Sequence, residues 1–417
     1  MSQNADTFTR WGIVAAGEGG GRIASRFLLR AENPGIENRI MLMNTNRADL
    51  RNTLDRMRGE LVSSGGAVES NDIEQYGLEF GSERGAGNFF PDGRACAEED
   101  LDTILNEING RMLGTDAILY VATLGGGTGN GSIPYVIDQV KRSDRSSVRD
   151  WMRDAKHVAL AAWPYANDRT QQHFNAVCGL SRFLMNERNE QNADMLLLVA
   201  NSHLAHNDED NTGLDRKQQV NERIVPAIDL LIGAGRETDG VIDVKDYVRT
   251  PSLINAYHFT PAVTMDKNVE IINLEYIFEQ AADNAFVPLD VNTARAVFAV
   301  VRGPEDLRRQ NVISESSVQR AFDSWLEQHG ISDAVGESTF IPTRERGSDV
   351  DVLLLVGGFD LGPLLDYSLE QFRSHRRNLN RTGGPRNSEL SQDRLDTIWR
   401  RLQDYREYSQ GTTIDDE

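Results

Sequence analysis

Residues 124–132 read Leu124-Gly125-Gly126-Gly127-Thr128-Gly129-Asn130-Gly131-Ser132. Five of the seven residues from Gly125 to Gly131 are glycine. The apolar run Ala117–Thr123 predicts a strand ahead of this loop. Pro134–Lys141 predicts the start of a helix behind it, with Pro134 in a first turn, where its missing N–H has no intrahelical partner. Glycines let main-chain N–H groups come close to an anion and allow positive φ. The helix N-terminus adds partial positive charge, and Thr128 adds a hydroxyl donor. Together these residue types make a phosphate cradle that needs no lysine. The competing reading is a glycine-rich turn with no ligand.

Working outward, the pattern around the loop repeats. Trp11–Ala16 (WGIVAA) is an apolar run that ends at the glycine cluster Gly17–Gly21. A helix follows, with Ile23, Ala24, Phe27 and Leu28 on one face. Ile40–Met43, His157–Trp163 and Met195–Ala200 read as further strands, Ala97–Leu113 as a helix and 62–93 as loops. The strands are apolar throughout rather than alternating. Strand–helix alternation of that kind means a parallel sheet covered on both faces. A long helix over 216–234 carries Val220, Ile224, Ala227, Leu231 and Ala234 as a core stripe, with Pro226 as a local conflict. Beyond it, strands are expected at Leu253–Thr264, Ala296–Val301 and Val350–Gly357, and helices at Ile272–Ala285 and Ser316–His329. The expected organisation is a flexible 1–10, a nucleotide-binding domain 11–215, a core helix 216–234, a second α/β domain 235–372, and a basic linker with a tail helix over 373–417. That tail helix puts Leu395, Ile398, Trp399 and Leu402 on one face.

Composition narrows the class. The 417 residues carry a net charge of −20, which argues against a nucleic-acid partner. Only five of the 44 cations are Lys. Acidity with scarce lysine fits adaptation to high salt, where repulsion between carboxylates is screened within ~3 Å at ~1 M; Arg-rich codon usage is the alternative. Cys96 and Cys178 are too few for a disulfide framework or a zinc site and read as small buried hydrophobes. No apolar run approaches the ~20 residues that span a bilayer, and the start MSQNADTFTR has no hydrophobic signal region, so a cytoplasmic protein is expected.

Other phosphate motifs fail. No GxxxxGK[ST] is present. In Gly17-Glu18-Gly19-Gly20-Gly21-Arg22, Arg22 stands where a dinucleotide motif needs its third glycine. The second strand ends at Asn44 rather than at a ribose-binding acid.

The Gly125–Gly131 run, with its small residue before the last glycine, resembles the signature of the tubulin/FtsZ superfamily, which includes the archaeal CetZ proteins. The resemblance covers about 11–372. It implies GTP/GDP as ligand with Mg2+, and a two-domain α/β fold. It carries over residue by residue. Gly17–Arg22 resembles the first phosphate loop, with Glu18 in place of a Gln. Asn44-Thr45-Asn46 resembles the second, and Gly85-Ala86-Gly87-Asn88 the third, on the γ-phosphate side. Pro164 to Asp168 resembles the ribose loop. Asn201 and Asn221 resemble the two residues that read guanine; an amide offers both a donor and an acceptor to a base edge. Lys217 stands where an aromatic usually stacks on the base.

In this superfamily the activating acids come from the next subunit. Val241-Ile242-Asp243-Val244-Lys245-Asp246 resembles that loop, which implies that Asp246 polarises water and Asp243 supports it. Read alone, the pair also fits an ordinary acidic helix start. The resemblance implies a longitudinal homopolymer. Ala285–Arg302 followed by Gly303-Pro304 is similar to the CetZ branch, linked to cell shape, whereas FtsZ members are linked to division. Two alternatives stay open: a non-hydrolysing nucleotide switch, and an adaptor whose basic 373–417 segment meets a membrane or a partner.

Overall fold

The computed structural model describes residues 9–30, 35–64, 70–81, 85–206, 216–235, 242–343, 346–381 and 388–410. They form two compact units. The larger comprises Arg10–Val225 and Gly362–Tyr405. Its first half runs β1 (Trp11–Ala16), α1 (Gly17–Leu28), β2 (Ile40–Asn44), α2 (Arg47–Ser64), β3 (Gly77–Glu79), α3 (Phe90–Glu99), α4 (Leu101–Arg111) and β4 (Ala117–Thr123). It continues through α5 (Thr128–Arg142), α6 (Asp150–Asp154), β5 (Lys156–Trp163), α7 (Thr170–Leu184), β6 (Met195–Ala200), α8 (Asn201–His206) and the start of α9 (Arg216–Gly233). The strands pair in parallel in the order β3-β2-β1-β4-β5-β6. Every residue of β1 and β6 is buried, as expected for a sheet covered on both faces.

The strands lie where the sequence places them, but both glycine-rich segments are more helical than expected. Gly17–Gly21 is the first turn of α1. Helix α5 begins at Thr128, six residues before the expected start at Pro134. The reason is close main-chain approach. A Cβ on Gly129 would lie 2.5 Å from the Ala16 carbonyl, and one on Gly131 would lie 2.3 Å from the Phe90 carbonyl. Only glycine lets this helix start between β1 and α3. Pro134 is therefore inside the helix and leaves the Asn130 carbonyl, four residues back, without its usual N–H. The Arg182 guanidinium of α7 takes that carbonyl at 3.0 Å and the Gly131 carbonyl at 2.9 Å. The expected helix 97–113 is two helices, α3 and α4, broken at Asp100.

The C-terminal helices also depart from expectation. Residues 362–405 belong to this larger unit instead of dividing between a second domain and a tail. Helix α14 (Gly362–Arg381) lies against α7. Its Ser368 Oγ accepts from Trp163 Nε1 at 3.1 Å and meets His173 Nδ1 at 2.8 Å. The rings of Phe174, Phe372 and Trp399 stack in series. Leu395, Ile398 and Leu402 of α15 (Gln392–Ser409) are buried, so this apolar face is spent inside the unit and is not open to a partner. The Gly383-Gly384-Pro385 break lies outside the described residues, as do Val241 and residues 1–8.

The smaller unit holds Pro226–Leu361 with Thr9 and residues 406–410. Its elements are α10 (Val244–Leu253), β7 (His258–Asn268), α11 (Leu274–Asp283), β8 (Ala296–Pro304), α12 (Glu305–Arg309), α13 (Glu315–Gln328), β9 (Ser338–Thr343) and β10 (Asp349–Gly357). The sheet order is β7-β10-β8-β9; the first two pairings are antiparallel and the last is parallel. The expected strand at Leu253 starts instead at His258, because Leu253 closes α10. Ile224, Ala227 and Leu231 along α9, and Ala234 just beyond it, are buried as their spacing predicts, and the Val220 side chain lies outside the described residues. Among the described residues no helix is long and apolar enough to cross a membrane.

Each unit buries a histidine that stays neutral. His157 meets Tyr120 Oη and the Met152 carbonyl, both at 3.0 Å. His258 meets the Phe359 carbonyl at 2.8 Å. Burial pushes both imidazoles down to about 4. The unfolded chain takes up these protons below about pH 6.5 and the folded chain does not, so stability is full above that pH and is lost as pH falls. Urea unfolding should weaken by about 2 kcal/mol per histidine between about pH 6.5 and 5. His157→Gln should flatten part of that slope. A midpoint that does not change over this range contradicts the assignment.

Candidate functional site

The carboxyl ends of β1, β2, β4, β5 and β6 open on a cleft of about 510 Å³ in the larger unit. Parallel sheets place ligands at this end, where loops leave the strands for the following helices. Among the helix N-termini that reach it, those of α1 and α5 follow the glycine clusters, and each brings unpaired N–H groups and partial positive charge.

Side chains from the helices behind the loops hold them in shape. Asn175 Nδ2 donates to the Asn88 carbonyl at 2.8 Å and to the Gly125 carbonyl at 3.0 Å, so one buried amide joins two of the loops. Gln171 donates to the same Asn88 carbonyl at 3.1 Å. Thr45 Oγ1 and Thr128 Oγ1 lie 2.7 Å apart, and the Gly85 N–H donates to the Thr45 carbonyl at 3.0 Å. With the carbonyls of Gly125, Gly127 and Thr128 tied back by Asn175, the Gly131 N–H and Ser132, Gly125 to Thr128 line the cleft as a strip of main chain.

Most residues expected at the site line it: Gly17, Glu18, Gly19, Arg22, Asn44, Asn46, Gly85 to Asn88, Gly125 to Gly129, Pro164, Asp168, Asn201 and Asn221. Asn201 opens α8, and Asn221 sits in the part of α9 that belongs to this unit. Among the described residues neither carboxamide is engaged by a protein partner, which leaves both free to address a base edge. Others are already occupied. Asn46 Oδ1 caps α2, accepting the N–H groups of Ala48 and Asp49 at 2.9 and 3.2 Å. Asp168 Oδ2 closes its own turn by accepting the Tyr165 N–H at 2.9 Å.

Five expected residues are not among those lining the cleft. Asn130 is fully buried, and its amide donates to the carbonyls of Leu124 and Asn175, so it braces the loop from behind. Gly131, Gly20 and Gly21 serve helix packing and do not line the cleft. Lys217 is in α9, but its side chain lies outside the described residues.

Asp243 and Asp246 are in the smaller unit and do not line the cleft. They form the capping box of α10: Asp243 Oδ1 accepts the Lys245 N–H at 2.5 Å, and Asp246 Oδ2 accepts the Asp243 N–H at 2.8 Å.

Sequence reasoning missed Asp49, Thr123 and Gln172 in the lining, and Asn175 behind it. The polar first turns of α2 and α7 were the available signal. The charges at one end of the cleft are linked. Glu18 and Arg22 form an ion pair one turn apart on α1. Burial, then the neighbouring Glu18 carboxylate, raises the Asp49 carboxyl above its ordinary range, against the pull of Arg22. Among the described residues no cluster of three metal-ligating side chains occurs. A magnesium ion here would therefore depend on ligand oxygens.

The chain matches no family model. It is similar to the tubulin-like protein CetZ1 of Haloferax volcanii, at 26% identity over 246 residues, covering 58% of this chain and 55% of that protein. It is also similar to the cell division protein FtsZ of Methanothermobacter thermautotrophicus, at 24% identity over 237 residues, covering 54% of this chain and 53% of that protein. These matches span about half the length of the curated relatives. Among solved structures, CetZ2 from Haloferax volcanii, a GTPγS-bound protofilament, shares the fold at a TM-score of 0.65 and 19% identity, covering 90% of this chain and 99% of that one. The chain has a tubulin/FtsZ-like fold, and its similarities support a divergent member of that superfamily near the CetZ branch.

Proposed function

We propose that this protein binds GTP in the glycine-lined cleft, hydrolyses it, and assembles head-to-tail into filaments whose nucleotide sites are completed by the next subunit. The observation that carries the reading is the pairing, in one cleft, of a main-chain phosphate cradle with two unengaged carboxamides, Asn201 and Asn221. The α1 and α5 N-termini and the Gly125–Thr128 strip take the phosphates. Asn44, Gly85, Gly87 and Asn88 wall the outer phosphate side, and Pro164 to Asp168 meets the ribose. Magnesium, when bound, neutralises phosphate charge. Glu18 and Asp49 are the carboxylates that would meet its hydration shell, and a cation there would relieve the repulsion between them.

Hydrolysis needs a group that orients water. In the cleft Glu18 is paired with Arg22, and Asp168 holds its own turn. By the resemblance of 241–246 to the superfamily's activating loop, the reading assigns the task to Asp246, supported by Asp243, from the neighbouring subunit. The α10 capping box supports this by holding both carboxylates in a fixed arrangement. The GTPγS-bound protofilament of the CetZ2 neighbour supports head-to-tail assembly. The acidic, lysine-poor composition fits a cytoplasm of high salt, and the resemblance to CetZ and FtsZ implies a role in cell shape or division. A second reading, a nucleotide switch that does not hydrolyse, is favoured by the same capping bonds, since each carboxylate already has one oxygen in use.

Sedimentation and phosphate release in molar KCl separate these readings. Filaments should pellet with GTP and not with GDP, and turnover per subunit should rise steeply with protein concentration. Asp246→Asn keeps the cap acceptor and should lower turnover at least a hundredfold with GTP binding unchanged. A concentration-independent rate, or full turnover in Asp246→Asn, sinks the shared-site reading. Stable binding with no phosphate release supports the switch. Asn175→Ala should weaken GTP binding about tenfold, equivalent to ~1.4 kcal/mol, because two loops lose their common tie; unchanged affinity contradicts that role.

A further inference from the structure

A second cleft of about 90 Å³ in the larger unit lies among α3, α5, α7 and α15, away from the glycine loops. Four guanidinium groups line it, from Arg94, Arg182, Arg394 and Arg401. The carboxylates of Glu187 and Glu389 serve only two of them. Arg94 reaches Glu187 at 2.6 Å and Glu389 at 2.9 Å. Arg394 pairs with Glu187 and lies 3.5 Å from Glu389. The third carboxylate in the lining, Asp138, is matched by Arg142 at 3.0 Å.

Arg182 and Arg401 have no carboxylate within ion-pair distance among the described residues. Arg182 donates to the carbonyls of Asn130 and Gly131, and Arg401 to that of Glu187 at 2.7 Å. A guanidinium has five N–H donors, so both keep hydrogens to give. The cleft thus holds two positive charges in excess, in a chain of net charge −20. A second feature narrows the ligand. Asn192, 1% exposed, also lines the cleft. Its Nδ2 donates to the carbonyls of Pro134 and Arg182 at 2.9 and 2.8 Å, which fixes the amide's orientation. Its Oδ1 then has no donor. A buried acceptor left unpaired loses its hydration with nothing in return.

The complement of this arrangement is a small anion that also donates a hydrogen bond. Near neutral pH phosphate keeps at least one P–OH and sulfate keeps none. A carboxylate has no donor of its own. We propose that the cleft is a binding site for inorganic phosphate, with Arg182 and Arg401 holding its oxygens and Asn192 Oδ1 accepting the P–OH hydrogen. Burial and the like charge of Arg394 lower the Arg401 guanidinium, and burial with Arg94 lowers that of Arg182; a bound anion reverses both. Since α15 supplies Arg394 and Arg401, occupancy would tighten this helix on the unit without using the nucleotide cleft.

The test uses the full chain in KCl, with phosphate or sulfate added at matched ionic strength. Arginine modification by phenylglyoxal is mapped by mass spectrometry. Phosphate should slow modification of Arg401 at least tenfold, and sulfate should have little effect. Equal protection by sulfate overturns the proposal, as does phosphate protection confined to Arg22 in the glycine cleft. Arg401→Gln should weaken phosphate binding at least tenfold, read by ³¹P line broadening, with GTP affinity unchanged. Unaltered phosphate binding in that variant overturns the proposal. If the variant does not fold, the wild-type protection pattern decides alone.

Discussion

Everything at the nucleotide end of this protein depends on how closely main chain meets main chain at the start of α5. Gly129 lies under the Ala16 carbonyl, and Gly131 lies against the Phe90 carbonyl. A methyl group at either place would push α5 away from β1 or from α3. The cleft is the space beside that contact, and Asn175 braces its amide-lined wall from behind. The same constraint sets the next requirement along the helix. Pro134 leaves a carbonyl open, and a buried arginine from α7 closes it.

The electrostatic consequence is unusual for a phosphate site. The described lining contains one cation, Arg22, and that is paired with Glu18. Attraction for an anion must then come mainly from main-chain dipoles and helix ends, which are fixed by the fold and carry no net charge. This suits an acidic chain. The second cleft uses the opposite device, an excess of guanidinium charge, so the two sites should respond differently to salt.

Much of the fold was legible because the strands of the larger unit are apolar and bounded by glycine, and Trp11–Ala16 and Ala117–Thr123 sit where their composition puts them. The helix starts were not legible. Gly17–Gly21 and Thr128–Gly131 look like loops in any local reading, and only contacts distant in sequence make them helical. Pro134 misled for the same reason, since its compensation comes from Arg182. The unit membership of α14 and α15 was hidden too: Phe174, Phe372 and Trp399 lie far apart in sequence, and their stacking becomes visible only in space. Within the site, residues carried by motifs were legible. Asn175 was not, because its role is to hold two loops rather than to touch a ligand. Asp243 and Asp246 show the converse. Their spacing was read as chemistry, and the structure shows a capping box at that place.

The central claim is that the glycine-lined cleft selects a guanine nucleotide through main-chain amides and two asparagines. Calorimetric titration of the purified full chain, stripped of nucleotide, with GTP and with ATP in molar KCl and magnesium, tests it most directly. The account predicts one GTP per chain, at least a hundredfold weaker ATP binding, and loss of that discrimination in Asn221→Ala with the chain still folded. Equal affinity for the two nucleotides, or no heat with either, would contradict it.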